Sequence, residues 1–346
     1  MKKIKWGVIG CGGIADRRTI PGLVLADNAE LVAVMDINME LAKKVGEKYN
    51  VSAVYDNIDD LLSNDEVEVV YIATPVFLHK EQSIAALKAG KHVLVEKPVG
   101  LTVAEGNEIA ELAKSKNLKV SVGLMMRYHT YHQQIKELIS SGKIGDIVSM
   151  RAQFTCWFPE SDKAWSQSKK MSGGGSLMDL GVHCIDLLLY LSSLKACIVS
   201  GMCETMTFSY EVEDSASVLI KMENGAKAYV DVNFNIPDDA SESRLEFFGT
   251  RGSIIANGTM AQEEVGTVKV TESNQEGYDA MQERTELNSY ILEGDLGNMY
   301  TKEIEAFSDA LLNNKTPVIN IDEAIFVQKI IEAAYESSAS GKFINL

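Results

Sequence analysis

The stretch "GVIGCGGIA", residues 7 to 15, decides how this chain is read. It closes a β-rich run, "IKWGVIG" (4–10), and sets Gly10, Gly12 and Ala15 in a G-x-G-x-x-A pattern directly behind it. Glycine permits the tight turn and a close approach of the backbone to a diphosphate group, which then rests on the amides that open the next helix. Glycine turns are common, so context carries the reading. A strand precedes this one, a helix can follow, and Asp36 ends the second strand in "AVMDIN". That carboxylate stands where a dinucleotide fold bonds the adenosine ribose hydroxyls, and it repels a 2′-phosphate.

Outward from this turn, short β-rich runs alternate with helical ones. The strands are read at 4–10, "ELVAVMD" (30–36), "VEVVYIAT" (67–74), "HVLVEKP" (92–98) and "KVSVGL" (119–124). "ELAKKVGEKYN", "EQSIAALKAGK" and "VAEGNEIAELAKSKN" are long enough to be crossover helices. This alternation predicts an α/β fold, with residues 1–123 forming a Rossmann dinucleotide-binding domain.

After about residue 124 the pattern changes. A helical run, "TYHQQIKELISSGKIG", leads into "DIVSMRAQFTCWF", then into an apolar helix, "GGGSLMDLGVHCIDLLLYL" (173–191), and then a series of alternating strands. In "GAKAYVDVNFN" (225–235), Ala226, Ala228, Val230, Val232 and Phe234 fall on one face and Lys227, Asp231, Asn233 and Asn235 on the other. Residues 124–346 are therefore predicted to form an α+β domain on an open, mainly antiparallel sheet, serving substrate binding and oligomerisation.

The chain has 346 residues, which suits two separate cores. Its net charge of −16 argues against a nucleic-acid partner, because phosphate backbones select basic faces. Five cysteines without C-x-x-C spacing predict neither a disulfide framework nor a zinc knuckle, which fits a cytoplasmic protein. No run is read as a membrane span, and no metal is expected.

The motif "VEKPVG" and the helix at 173–191 make the chain resemble the glucose-fructose oxidoreductase, inositol dehydrogenase and rhizopine catabolism family (Gfo/Idh/MocA). "GVIGCGGIA", "YIATPVFLHKEQSIAALKAGKHVLVEKPVG" and the helix come in that family's order and spacing. The resemblance implies a Rossmann domain that binds NAD (NADP possible) and a hydride transfer to or from a small sugar or cyclitol. It implies catalytic roles for Lys97, Asp179 and His183. It also implies cofactor contacts at Gly10, Cys11, Gly12, Gly13, Ile14, Asp36, Thr74, Pro75, His79, Glu96 and Lys97, with Trp165 and Tyr300 lining the cleft. Arg127, which opens the second domain, is counted with the cofactor contacts. Where several relatives follow the tryptophan with arginine, this chain has Ser166.

An imidazole titrates near neutral pH, so His183 is the expected base for a hydroxyl proton, with Asp179 one turn before it. The Lys97 ammonium can polarise a carbonyl or stabilise an alkoxide. Asp186 is expected to make a structural hydrogen bond, and His129 and His132 to lie at the surface or rim. The glycines at 173–175 are read as room for a ligand. Substrate choice is assigned to loops near 155–172 and 234–244. The alternatives are an NADPH-dependent keto-sugar reductase of the 1,5-anhydrofructose reductase kind, an NAD-assisted glycosidase, and a non-catalytic dinucleotide or sugar sensor. The open sheet face, with Tyr229 on its more polar side, is expected to form a homodimer or homotetramer contact.

Overall fold

Alternating apolar runs in the first third become a six-stranded parallel sheet. Its strands are β1 (Ile4–Ile9), β2 (Ala29–Met35), β3 (Ala53–Tyr55), β4 (Val69–Ile72), β5 (His92–Glu96) and β6 (Val120–Gly123), in the order β3-β2-β1-β4-β5-β6. The computed structural model describes residues 2–161, 164–275, 277–278, 280–281 and 288–346, so Asp162 and Lys163 of the first substrate loop lie outside the described residues. All pairs in this sheet are parallel. The strand order reverses between β1 and β4, and ligands of open α/β sheets bind beyond the carboxyl ends of the strands at such a switch point.

The helices start and stop where side chains dictate. Asn38 accepts from the amides of Glu40 and Leu41 to open Met39–Tyr49, and Asn50 closes it in the left-handed region at φ 59°. Thr102 opens Val103–Lys116, and Asn117 closes it at φ 54°. The three-residue β3 was not among the expected strands. It is a short, half-buried edge strand, with too few residues to show a period.

Compactness divides the chain into Met1–Met125, Lys163–Gly174 and Asn298–Lys329 on one side, and Met126–Asp162, Gly175–Gly297 and Ile330–Leu346 on the other. Trp6 shows why the late segment belongs to the first unit. It is fully buried, its indole N–H donates to Ser308 Oγ at 3.1 Å, and its ring meets Phe307 edge-on at 5.9 Å. Truncating such a buried aromatic costs about 3–5 kcal/mol, so this contact ties the helix Met299–Leu312 to β1.

The second unit holds a nine-stranded sheet of β7 (Ile147–Thr155), β8 (Ala196–Glu204), β9 (Ser215–Met222), β10 (Lys227–Asn233), β11 (Arg244–Gly249), β12 (Gly252–Asn257), β13 (Thr267–Glu272), β14 (Asn288–Ile291) and β15 (Ile344–Asn345). Their order is β14-β13-β12-β11-β7-β10-β9-β8-β15, antiparallel throughout except for the β7–β10 pair. Register puts Val199, Ile220, Ala228, Met150, Phe247, Ile254 and Val270 side by side, all buried. The adjacent row, Leu219, Tyr229, Arg151, Glu246 and Ile255, lies on the other face. Within β10 the expected alternation holds except at Asn233, which is buried and accepts from Ser215 Oγ at 2.7 Å.

One helical run, Lys169–Ser192, is long and apolar enough by length and composition to cross a membrane, contrary to the expectation of none. Of its apolar window, 83% is buried inside the protein, as in a core helix.

Candidate active site

In the first unit the carboxyl ends of neighbouring strands converge. β1 runs into Gly10, β2 into Asp36, β4 into Thr74 and Pro75, and β5 into Glu96 and Lys97. Gly10 adopts φ +92°, and a Cβ there would fall 2.7 Å from the Ala73 carbonyl oxygen, so only glycine fits beside β4. Gly13, at φ +50°, has open space where a side chain would stand. Behind it the helix begins with a π-turn, Ala15–Thr19, ahead of Ile20–Leu25.

Asp36 locks this loop. One carboxylate oxygen accepts from the Cys11 amide and the other from the Asn38 amide, both at 2.9 Å. Burial and the Asp36 charge push the Cys11 thiol up to about 12, which makes thiolate chemistry there unfavourable. The open space at Gly13, the β1–β4 switch point and a carboxylate at the end of β2 fit a dinucleotide with free ribose hydroxyls.

His79, expected among the cofactor contacts, is 1% exposed. Its Nδ1 lies 2.9 Å from the Pro98 carbonyl oxygen and its Nε2 2.9 Å from that of Thr74, so it clamps the β4 loop to the β5 loop. A neutral ring donates to only one of the two, and burial foremost, with the Lys97 charge as a further cause, lowers its pKa. Thr74 Oγ1 donates to Gln82 Oε1 at 2.6 Å. Glu96 accepts from the Tyr71 hydroxyl and from the Lys97 amide, and the Lys97–Pro98 peptide is cis. Trp165 opens a short 3-10 turn and is half-buried, whereas Tyr300 is 2% exposed.

The second unit holds the other expected residues. Asp179 sits half-buried in a π-turn, Leu177–Gly181, and His183 is buried in the helix that follows, Val182–Ser192. π-turns inside helices occur disproportionately at functional sites, and this chain has one behind the glycine loop and one at Asp179. The turn is anchored by Glu213, which sequence reasoning missed. Its carboxylate accepts from the Gly175 and Leu177 amides at 2.9 and 3.0 Å and from the Tyr335 hydroxyl at 2.8 Å. Glu213 lies 38 residues beyond Gly175 in a polar loop with no periodicity to mark it.

Asp186 is the structural partner that was expected, and its mate is Arg127. The guanidinium Nη2 donates to Oδ1 at 2.6 Å and Nε reaches both oxygens at 3.0–3.1 Å, with both side chains buried. Arg127 also stacks over Tyr190 at 4.5 Å. His129 and His132 are not rim residues, because both are fully buried. His132 Nδ1 bonds the Met126 carbonyl at 2.7 Å and Nε2 the Thr259 hydroxyl at 3.1 Å, while the His129 ring lies 4.7 Å from it. A histidine in an amphipathic helix gives no sequence sign of which face it takes when polar partners come from distant loops.

A parallel sheet with a glycine turn behind β1, a carboxylate at the end of β2 and a lysine beyond β5 has the layout of a dinucleotide-binding domain. Residues 4–124 match the oxidoreductase family with an NAD-binding Rossmann fold, and residues 132–255 match the GFO/IDH/MocA C-terminal domain. The chain is 33% identical over 257 residues to Oxidoreductase P35 of Formosa agariphila, covering 73% of this chain and 78% of that one. It is 26% identical over 339 residues to 1,5-anhydro-D-fructose reductase of Ensifer adhaerens, covering 98% and 97%. Its fold superposes on aldose-aldose oxidoreductase from Caulobacter crescentus with a TM-score of 0.90 at 22% identity, covering both chains fully. The protein belongs to the Gfo/Idh/MocA family and is an NAD(P)-dependent oxidoreductase.

Proposed function

We propose that this enzyme exchanges a hydride between nicotinamide C4 and a secondary hydroxyl or ketone of a sugar or cyclitol, using Lys97, Asp179 and His183. The observation that carries the reading is the convergence of the Gly10–Ile14 turn, Asp36, Thr74, Pro75, Glu96 and Lys97 at the carboxyl ends of four neighbouring parallel strands. The full-length likeness to a reductase named for an anhydro-keto sugar supports the substrate class. The domain assignment that accompanies this reading is residues 1–123 for the dinucleotide and 124–346 for substrate and self-association.

Bound nicotinamide supplies the two-electron acceptor or donor. The protein's part is to hold the substrate, exclude water and move one proton. The Lys97 ammonium stabilises oxygen charge as it develops, and His183 takes or returns the hydroxyl proton with Asp179 orienting or sharing it, a contribution worth roughly 10²- to 10⁴-fold. Asp36, fixed by two backbone amides, supports NAD over NADP because a 2′-phosphate would meet its negative charge.

The test is a panel of sugars, cyclitols and sugar acids assayed for NAD⁺ and NADP⁺ reduction, repeated with Lys97→Ala. Turnover should vanish in the variant while NAD⁺ affinity stays within about threefold. Undiminished turnover would overturn the assignment of Lys97. The second reading is an NADPH-dependent keto-sugar reductase; that relative's name favours the reductase direction, and tighter binding of NADPH than of NADH would select the reading.

The assembly proposed for this cytoplasmic reading is a homodimer or homotetramer, with the outer face of the nine-stranded sheet as its contact. Tyr229 is 40% exposed there, beside Leu219, and Arg151 pairs with Glu246 at 3.6 Å next to it. Light scattering at micromolar concentration checks this, and a monomer contradicts it.

A further inference from the structure

Three successive amides lead into the helical segment that carries Asp179 and His183, and one residue takes all three. The Gly175 amide donates to Glu213 Oε2 at 2.9 Å, the Ser176 amide to the Glu213 main-chain carbonyl at 3.0 Å, and the Leu177 amide to Oε1 at 3.0 Å. Amides in the first turn of a helix have no acceptor inside it, so the residue that supplies one fixes where the helix begins. The Gly175 carbonyl in turn accepts from the Asp179 amide at 3.0 Å. Two hydrogen bonds through Gly175 therefore tie Glu213 to Asp179, and His183 follows one turn later.

Glu213 is itself held on both sides. The Val212 carbonyl before it accepts from Thr205 Oγ1 at 2.9 Å, and the buried Asp214 carboxylate after it accepts from the amides of Met206, Thr207 and Phe208 at 2.8–2.9 Å. The Glu213 side chain is fixed from near the end of the sequence. Tyr335 lies in the last helix, Ile321–Ser340, and its hydroxyl donates to Oε1 at 2.8 Å. That stretch of helix is seated on β8. The Ser337 and Ser338 hydroxyls accept from the Gly201 and Cys203 amides at 3.1 and 3.0 Å, and a Cβ on Gly201 would fall 2.6 Å from the Ala334 carbonyl oxygen. Hydrogen bonds to a carboxylate are about twice as strong as neutral ones, so this is a stiff mount for the turn.

We propose that Glu213 and Tyr335 are a positioning pair for the proton transfer: Tyr335 aims the Glu213 carboxylate, and the carboxylate sets the turn from which Asp179 and His183 act. Both work through the turn, not on the substrate. Misplacing a reacting group by about 1 Å costs on the order of 10²-fold in rate, so such a mount bears on kcat. The proposal rests on the roles proposed for Asp179 and His183.

Two variants test it. Glu213→Gln keeps the size of the side chain but sets an amide donor against one of the groups that now donate to it. Tyr335→Phe removes one hydroxyl and leaves both amide bonds in place. Hydrogen–deuterium exchange needs no substrate: peptides covering 175–183 should exchange about tenfold faster or more in Glu213→Gln and measurably faster in Tyr335→Phe, while those of the six-stranded sheet keep wild-type rates. Unchanged exchange at 175–183 in both variants overturns the proposal. In turnover, kcat per mole of bound NAD⁺ should fall about tenfold or more in Glu213→Gln and about threefold in Tyr335→Phe, with KM for NAD⁺ within about twofold of wild type. A mount that served folding alone would leave kcat per bound cofactor at the wild-type level, and that result overturns the positioning role. Should Glu213→Gln not fold, Tyr335→Phe decides by the same two measurements. If the wild type turns over no polyol, the function proposed above has failed, and the exchange rates still decide whether Glu213 and Tyr335 hold the Asp179 turn.

Discussion

The backbone carbonyl of Glu213 lies against Gly175, well inside the distance at which a Cβ on that residue would collide with it. The third glycine before the Asp179 turn is therefore required by packing against the Glu213 backbone, while the Glu213 carboxylate holds the Gly175 and Leu177 amides. Gly173 has another use, ending the short helix Lys169–Ser172 at φ +80°. Neither glycine needs a ligand to explain it.

Gly175→Ala should accordingly destabilise the protein by about 1–3 kcal/mol or more, since an overpacked core must move backbone to accommodate the methyl group. Chemical denaturation of the purified variant checks this. An unchanged midpoint would mean that the Glu213 loop yields at little cost.

The Arg127–Asp186 pair is fully buried, so breaking it from one side leaves a charge without compensation. Asp186→Asn should cost about 3–5 kcal/mol, whereas the double variant Arg127→Met/Asp186→Leu should cost clearly less. A double-mutant cycle by denaturant unfolding measures the coupling. The same variants, titrated with NAD⁺, bear on the expected cofactor contact of Arg127, because a side chain bound on three sides to Asp186 and Tyr190 should change affinity little when both are replaced.

His132 makes the fold sensitive to acid. Burial, with His129 as a second cause, pulls its pKa down to about 3 in the folded protein, against 6.5 for an ordinary histidine. Between those values the unfolded chain holds a proton that the folded one lacks. The stabilisation is thus complete above about pH 6.5 and is lost progressively as pH falls toward 3, on the order of 2 kcal/mol by pH 5. Melting temperatures of wild type and His132→Asn, compared at pH 7.5 and 5, should converge at the lower pH. Parallel declines would refute the assignment.

Asp36→Ser should raise the NADP⁺ to NAD⁺ ratio of kcat/KM by about tenfold or more, because removing the carboxylate removes a repulsion worth roughly 1–2 kcal/mol at the ribose. It should also loosen the glycine loop, since the Cys11 and Asn38 amides lose their acceptor. Kinetics with both cofactors decide the point, and an unaltered ratio would remove Asp36 from cofactor selection.

The sequence by itself determined the parallel sheet, the glycine turn at 10–15, Asp36, the Glu96–Lys97 strand end and the alternating face of β10. Each rests on a local rule of period, turn chemistry or capping that a few neighbouring residues satisfy among themselves. Only the tertiary structure decided that β3 is a strand, that His129 and His132 are core, that Arg127 pairs with Asp186, and that Glu213 anchors the turn at Asp179. For the last two of these the partner lies 59 and 38 residues away along the chain, Asp186 from Arg127 and Glu213 from Gly175. A buried polar side chain is tolerated for the partner it finds in space or for the proton it keeps, and neither leaves a periodic trace in the order of the residues.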